Sequence, residues 1–261
     1  MEYREKPLEL LRATYFPNRK LAGLFIRCLY DPEVMHSLSK LFIEHNTKLI
    51  FANIVSKNDE AELTVFLDVS EALKSVDEIA EDLMGVNNVR EIRIIKPLLN
   101  GLLIDTVHFS ILFMGRRAWI IGEALSKGLF RDFKREFGDA GRVFLYHLGI
   151  DVGRRLYEIY RGYVSSEEEM LELIKALSKA SGWGIIVEIR RSVLGKYRIR
   201  MRNNIECVVC KPSKRSCGDF SRGILAGIFS KIIGKSVVVE ETMCIAKGDP
   251  YCEFIVRPLK Q

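Results

Sequence analysis

Cysteine residues are concentrated in the last fifth of this chain of 261 residues. We expect a cytoplasmic protein, because the opening sequence MEYREKPLEL has no apolar segment followed by a cleavage site. In that reducing compartment, clustered thiols predict metal or redox chemistry before disulfides. Five of the six cysteines belong to the cluster, and these are Cys207, Cys210, Cys217, Cys244 and Cys252.

The spacing of these thiols favours a metal site. Cys207 and Cys210 form a C-x2-C pair, and a Gly-Asp-Pro turn lies between Cys244 and Cys252, where it folds the chain back on itself. A structural zinc site has four ligands in tetrahedral geometry and accepts thiolates readily. The alternatives are buried structural thiols or an intracellular disulfide, whereas the cysteine runs of ferredoxins are absent. The candidate zinc ligands are Cys217, Cys244 and Cys252, with one of Glu241, Cys210 or Cys207.

The segment SRGILAGIFSKIIGKSVVVEETMCIAKGDPYCEFIV resembles the C-terminal half of a V4R (4-vinyl reductase) domain. A weaker similarity includes GRVFLYHLGIDVGRRLYEIY, so the resemblance covers roughly residues 105–258. Relatives of this domain include phenol-sensing modules of bacterial transcription activators and, more remotely, subunits of the TRAPP vesicle-tethering complex. The resemblance implies a prokaryotic, archaeal type of protein with helices packed on an antiparallel sheet.

In the sensor branch of that family a zinc ion is held by three cysteines and one glutamate. The spacing of Cys217 departs from the family pattern, because it sits one residue further from Gly234 than expected. Cys207 and Cys210 therefore remain candidates for the fourth position. Carried over to this sequence, the ligand set that the resemblance implies is Cys217, Glu241, Cys244 and Cys252.

The resemblance also implies a pocket for a small hydrophobic effector between a strand and the helices. In the predicted strand 196–202, apolar side chains alternate with basic ones, so one face is apolar. Phenol sensors carry a histidine in the helix aligned with residues 167–171, and this sequence has none there, so we expect an effector that is not a phenol. Aromatic packing of the core explains the same residues equally well. The predicted lining residues are Tyr146, Trp183, Tyr197, Ile199 and Met201.

The N-terminal part predicts a separate domain. Residues 1–20 form a polar lead-in, and residues 21–97 show the order βαββαβ of a ferredoxin-like fold. Asp31-Pro32 and Ser75 with Glu78 supply the helix starts. At this order and length the segment resembles an ACT domain, a regulatory module that binds small effectors at a subunit interface. The predicted fold class is α+β, with an ACT-type domain at 21–97 followed by a V4R domain at 105–258.

Two predicted helices offer surfaces for close packing, because each carries a pair of glycines four residues apart. Gly149 and Gly153 lie in one helix, and Gly223 and Gly227 lie in the other. The two helices are candidates to pack on each other. Together with the side-by-side pairing of ACT-type sheets, these surfaces lead us to expect a homodimer.

Composition limits the function classes. The chain is 48% hydrophobic and 28% charged with a net charge of +6, and it has no run that predicts a membrane span. The charge permits contact with nucleic acid, but no helix-turn-helix or zinc-finger pattern indicates it. We therefore favour the interpretation that this is a regulatory protein that senses a small molecule without catalysis. The alternatives are an enzyme related to the vinyl reductases, for which no G-x-G-x-x-G turn supplies a dinucleotide site, and a TRAPP-like interaction scaffold.

Overall fold

The computed structural model describes residues 5–192 and 195–259. It divides into two compact units, Met1–Trp119 and Ile120–Gln261, and each is built from helices on antiparallel sheets. The predicted α+β class is confirmed. Among the helices in the described ranges, none combines the length and the apolarity needed to cross a membrane.

The first unit is organised around a four-stranded antiparallel sheet in the order β3-β4-β2-β5. Its helices and strands follow the order βαββαβ between residues 21 and 95, as the sequence predicts. Short strands precede and follow this core. The elements are β1 (Ala13–Tyr15), β2 (Leu21–Leu29), α1 (Pro32–Glu44), β3 (Lys48–Lys57), β4 (Glu60–Asp68), α2 (Val76–Met84), β5 (Val89–Ile95), β6 (Leu102–Ile104), β7 (Ile111–Phe113) and β8 (Arg116–Ala118).

Both helices of this unit begin where the sequence predicts. The Asp31 side chain accepts a hydrogen bond from the backbone N–H of Glu33, and Pro32 occupies the first helical position of α1. Ser75 and Glu78 form a reciprocal capping box at the start of α2. These local bonds satisfy N–H groups that a helix start leaves without partners. The helices then place Leu38 and Leu83 in a core with the central strands.

The second unit contains a four-stranded antiparallel sheet in the order β11-β12-β10-β9 and a long helix that bends at Gly138. A π-helical segment, Lys127–Asp132, leads into that helix. A 3-10 turn, Ile245–Lys247, lies between the last two strands. The elements are α3 (Glu123–Ser126), α4 (Phe133–Tyr160), α5 (Glu167–Ala180), β9 (Ile185–Arg191), β10 (Tyr197–Arg202), α6 (Ile205–Val208), α7 (Asp219–Ile233), β11 (Val237–Met243) and β12 (Cys252–Pro258).

The paired glycines bring α4 and α7 into close contact. A Cβ atom added at Gly153 would lie 2.1 Å from the carbonyl oxygen of Ile224, and one added at Gly223 would lie 2.1 Å from that of Tyr146. Real side chains never approach this closely, so only glycine allows the two backbones to meet. The glycine surfaces that the sequence offers for association are therefore used inside this unit, between α4 and α7.

Candidate metal centre

Four side chains converge at one end of the second unit, where α6 meets the turn between β11 and β12. Their potential ligand atoms, three sulfurs and one carboxylate oxygen, all lie within 4.8 Å of one another. The three cysteines are fully buried. A tetrahedral zinc ion with bonds of about 2.0–2.3 Å needs its ligand atoms roughly 3.3–3.8 Å apart, so a small adjustment would suffice. The four residues are Cys207, Glu241, Cys244 and Cys252.

The β11–β12 connection positions two of these thiols. The register of the two strands shifts between Glu241 and Met243, which marks a bulge at the end of β11. The carboxylate of Asp249 then accepts a hydrogen bond of 2.7 Å from the backbone N–H of Cys244. Gly248 has a positive φ of 101°, which an L side chain would resist. This tight turn brings Cys252 back toward Cys244, as the sequence predicts.

Helix α6 supplies the third thiol, and buried polar groups fix its position. The side chain of Asn204 caps α6 by accepting from the backbone N–H of Glu206, and it also bonds Ser221 of α7. The carboxylate of Glu206 accepts from the backbone N–H groups of Phe220 and Ser221 at 2.9 and 2.8 Å. Glu206 therefore caps α7 while Cys207, the next residue, enters the cluster.

The four acidic groups of the cluster lie so close together that they shift one another's pKa values. Burial and the neighbouring Cys244 raise the pKa of Glu241 to about 8. Hydrogen bonds with Cys244 and Cys252 raise the pKa of Cys207, whereas those from Cys207 and Cys252 lower the pKa of Cys244. Acidic groups this close together resist losing their protons at the same time, so part of the cluster stays protonated without a cation. A bound cation would replace those protons, so the donor set fits a divalent metal that prefers thiolates.

Glu241 differs from the thiols because it is only half buried. Its Oε2 accepts a hydrogen bond of 2.8 Å from the backbone N–H of Gly218, and its Oε1 lies 3.6 Å from the sulfur of Cys207. The carboxylate is therefore held between the loop that precedes α7 and the thiols. A residue placed this way can serve as the fourth ligand.

Two further cysteines lie beside the cluster but outside it. The sulfur of Cys217 is 3.3 Å from the hydroxyl oxygen of Ser213. A hydrogen bond from Cys210 lowers the pKa of Cys217 to about 6 and raises that of Cys210. The C-x2-C pair is thus divided, since Cys207 joins the four-residue cluster and Cys210 pairs with Cys217. Cys207 thus takes the place in the cluster that the family pattern assigns to Cys217. The one feature of the sequence that could have indicated this is the spacing of Cys217, which departs from the family pattern by one residue.

A buried ionic network supports this region, and the sequence gives no signal for it. The ammonium group of Lys134 in α4 donates to Glu206 at 2.7 Å and lies 3.2 Å from Asp219. It also donates to the carbonyl oxygen of Cys217. Burial alone would lower the pKa of Lys134, but the charges of Glu206 and Asp219 outweigh it and raise that pKa. The network therefore holds the ammonium group of Lys134 next to the loop that carries Cys217.

The residues predicted to line an effector pocket lie in two places. Tyr197, Ile199 and Met201 of β10 are buried in the core of the second unit, where the ring of Tyr197 lies 4.8 Å from that of Phe229. The ring of Trp183 joins the same core, packed against Phe130 and Phe220. Tyr146 lines an open cleft beside Glu241.

Fold and site together define an α+β domain with a buried cluster of cysteines at the end of its sheet. Residues 197–258 match the model of the V4R domain, and this part of the chain is a V4R domain. The match includes β10, the four cluster residues and α7.

Two curated relatives are uncharacterised proteins of the archaeon Methanocaldococcus jannaschii. The first is 29% identical over an alignment of 115 residues that covers 44% of this chain. The second is 29% identical over an alignment of 119 residues that covers 43% of this chain. The chain spans 64% and 48% of the lengths of these relatives. Among solved structures, the phenol-responsive sensory domain of the transcription activator PoxR, determined with phenol, matches with a TM-score of 0.51 and 19% identity. That match covers 57% of this chain and 81% of the sensory domain, and it shows a likeness of fold.

Proposed function

We propose that this protein is a cytoplasmic regulator that senses a small molecule, without catalysis of its own, through a V4R domain stabilised by a structural zinc ion. The observation that carries the proposal is the cluster of Cys207, Glu241, Cys244 and Cys252, which joins two strands and α6 at one point. The fold shared with a phenol-responsive sensory domain supports the sensing role by analogy.

Zinc suits this donor set better than other common metals. Three thiolates and one carboxylate give four ligands, which is the number that a structural zinc site uses. Calcium and magnesium prefer oxygen donors, and the described cluster offers only one such side chain. Zinc binding would then stabilise the fold of the domain rather than activate a water molecule.

The proposed effector is hydrophobic and is not a phenol. The apolar side chains of β10 and the ring of Trp183 are packed in the core of the second unit, so this effector would bind there by displacing part of that packing. In the described segment that corresponds to the helix of phenol sensors, residues 167–171, no histidine is present to bond a phenolic hydroxyl. Burying that hydroxyl without a partner costs on the order of 1–3 kcal/mol, so an apolar analogue should bind more tightly than phenol.

We further propose that residues 21–97 act as an ACT-like domain for regulation or dimerisation, and that residues 105–258 form the small-molecule-binding V4R domain. The βαββαβ order of the first unit supports the ACT-like part of this assignment. Because the glycine surfaces of α4 and α7 are occupied by each other, the exposed edge strand β3 is the better candidate for the homodimer contact.

Native mass spectrometry of freshly purified, untagged protein tests these proposals together. We expect a dimer that carries one zinc ion per chain and a retained small hydrophobic molecule. The metal centre would be refuted if the spectrum showed no zinc-bound mass and elemental analysis found neither zinc nor iron. Turnover of a vinyl substrate would favour an enzyme, and stoichiometric capture of another protein would favour a scaffold.

A further inference from the structure

An open cleft of about 470 Å³ lies beside the metal centre, within the second unit. Its volume falls in the range of small-molecule sites. Helix α4, the start of α7, the loop before α7 and strand β11 form its walls. The lining residues include Arg142, Tyr146, Arg215, Asp219, Arg222 and Glu241.

Three cations surround the carboxylate of Asp219. Asp219 lies 3.2 Å from Lys134, 3.1 Å from Arg142 and 2.8 Å from Arg222. Glu206 is the second partner of Lys134. Asp219 is therefore shared by three cations, and the two guanidinium groups among them line the cleft.

The remaining acidic residues of the cleft are already engaged. Asp139 pairs with Arg215 at the rim at 2.9 Å, and Glu240 pairs with Arg257. Glu241 accepts from the amide of Gly218 beside the thiols. None of these carboxylates bonds the guanidinium groups of Arg142 or Arg222 among the described ion pairs.

The two arginines are also held in fixed orientations. The guanidinium carbon of Arg222 lies 5.2 Å from the centre of the Tyr146 ring, a cation–π contact that favours this position of the side chain. Arg142 donates through Nη1 to the carbonyl oxygen of Ser216 at 2.8 Å and to Asp219. Nη1 is the donor in both of these bonds, so the Nε and Nη2 groups of Arg142 can donate to a ligand in the cleft.

We propose that this cleft binds a small oxyanion, the carboxylate or the phosphate of a metabolite, through Arg142 and Arg222. Planar guanidinium groups form paired hydrogen bonds with both kinds of oxyanion. The ring of Tyr146 and the side chain of Val143 offer an apolar wall for the body of an organic acid. This oxyanion site is separate from the buried face of β10, so it is tested by the dependence of binding on the charge of the ligand and on Arg222.

Isothermal titration calorimetry of the full chain, with its metal as purified, tests the proposal with benzoate, inorganic phosphate and benzyl alcohol. We expect benzoate, phosphate or both to bind, and benzyl alcohol to bind at least about tenfold more weakly than benzoate because it lacks the charge. Binding of benzoate alone would define a carboxylate site, binding of phosphate alone a phosphate site, and binding of both a general oxyanion site.

A pair of variants then separates the cleft from the general positive charge of the surface. Arg222→Gln should weaken oxyanion binding by about tenfold or more. Arg161→Gln is the matched control, because Arg161 forms an i,i+3 ion pair with Glu158, as Arg222 does with Asp219, but does not line the cleft. The proposal is overturned if neither oxyanion binds at millimolar concentration, if benzyl alcohol binds as tightly as benzoate, or if folded Arg222→Gln binds like the wild type. The comparison of benzoate with benzyl alcohol needs no variant and decides the matter if Arg222→Gln does not fold.

Discussion

The ammonium group of Lys134 lies 2.7 Å from the carboxylate of Glu206, and both side chains are almost completely removed from solvent, with exposures of 4% and 0%. This pair joins α4 to the short helix that carries Cys207. Its partners are 72 positions apart in sequence, so only the tertiary fold brings them together.

Removing one partner of this ion pair should destabilise the second unit strongly. Lys134→Ala leaves the carboxylates of Glu206 and Asp219 buried without their cation, and we expect a loss of about 3–5 kcal/mol in the free energy of unfolding. Urea unfolding followed by circular dichroism measures it. Lys175→Ala removes a more exposed lysine with an i,i+3 partner and should cost less than about 1 kcal/mol. Equal losses in the two variants would show that the network is not structurally important.

Substitution of single cysteines should identify the metal ligands. Cys207→Ser should reduce the zinc bound per chain, because Cys207 belongs to the four-residue cluster. Cys217→Ser should retain zinc, because its sulfur lies with Cys210 and Ser213. Elemental analysis of both proteins measures the difference, with Cys28→Ala in the first unit as a control. The opposite result, with zinc lost only from Cys217→Ser, would place Cys217 in the ligand set.

The close contact of α4 and α7 should not tolerate a methyl group. Gly153→Ala would place a Cβ atom 2.1 Å from the carbonyl oxygen of Ile224, and we expect a cost of about 1–3 kcal/mol in unfolding free energy as the helices separate. Gly128→Ala is the control, because a Cβ at Gly128 meets nothing within 4 Å. If thermal unfolding shows that Gly153→Ala is as stable as Gly128→Ala, or more stable, the close packing of α4 on α7 is contradicted.

The stability of the second unit should fall in alkaline solution because of Tyr197. Burial and the hydrogen bond from its hydroxyl group to Glu167 raise the pKa of Tyr197 to about 12. A group whose pKa is raised in the folded state stabilises it fully below the unfolded pKa of about 10, and this contribution is lost as the pH rises from about 10 to about 12. We expect a loss of at most about 2 kcal/mol, since Glu167 is partly exposed and screened.

Tyr197→Phe should remove this dependence on pH. Urea unfolding at about pH 8 and about pH 11 measures it in both proteins. Tyr163→Phe, which changes an exposed tyrosine, should behave like the wild type. An equal loss of stability at high pH in Tyr197→Phe and the wild type would assign the effect to other groups.

Much of the fold follows from local sequence signals. Asp31-Pro32 and the Ser75–Glu78 capping box mark helix starts because their hydrogen bonds join residues two or three positions apart. The βαββαβ order follows from the same kind of short-range pattern. Alternation of apolar and basic residues predicts the strand 196–202, and β10 buries Tyr197, Ile199 and Met201 as that alternation requires.

The candidate metal site was predictable only in part. Cys244, Cys252 and Glu241 are close in sequence, and the Gly-Asp-Pro turn between the two cysteines determines that they meet. The fourth partner depends on where α6 lies, and that position is set by contacts of Asn204 with Ser221 and of Glu206 with Lys134. Spacing along the chain carries no information on such contacts, because side chains distant in sequence meet only after the helices have packed. The sequence alone therefore predicts a thiol-rich centre in a V4R domain, whereas the packing of α6 against α4 and α7 places Cys207, and not Cys217, in the cluster.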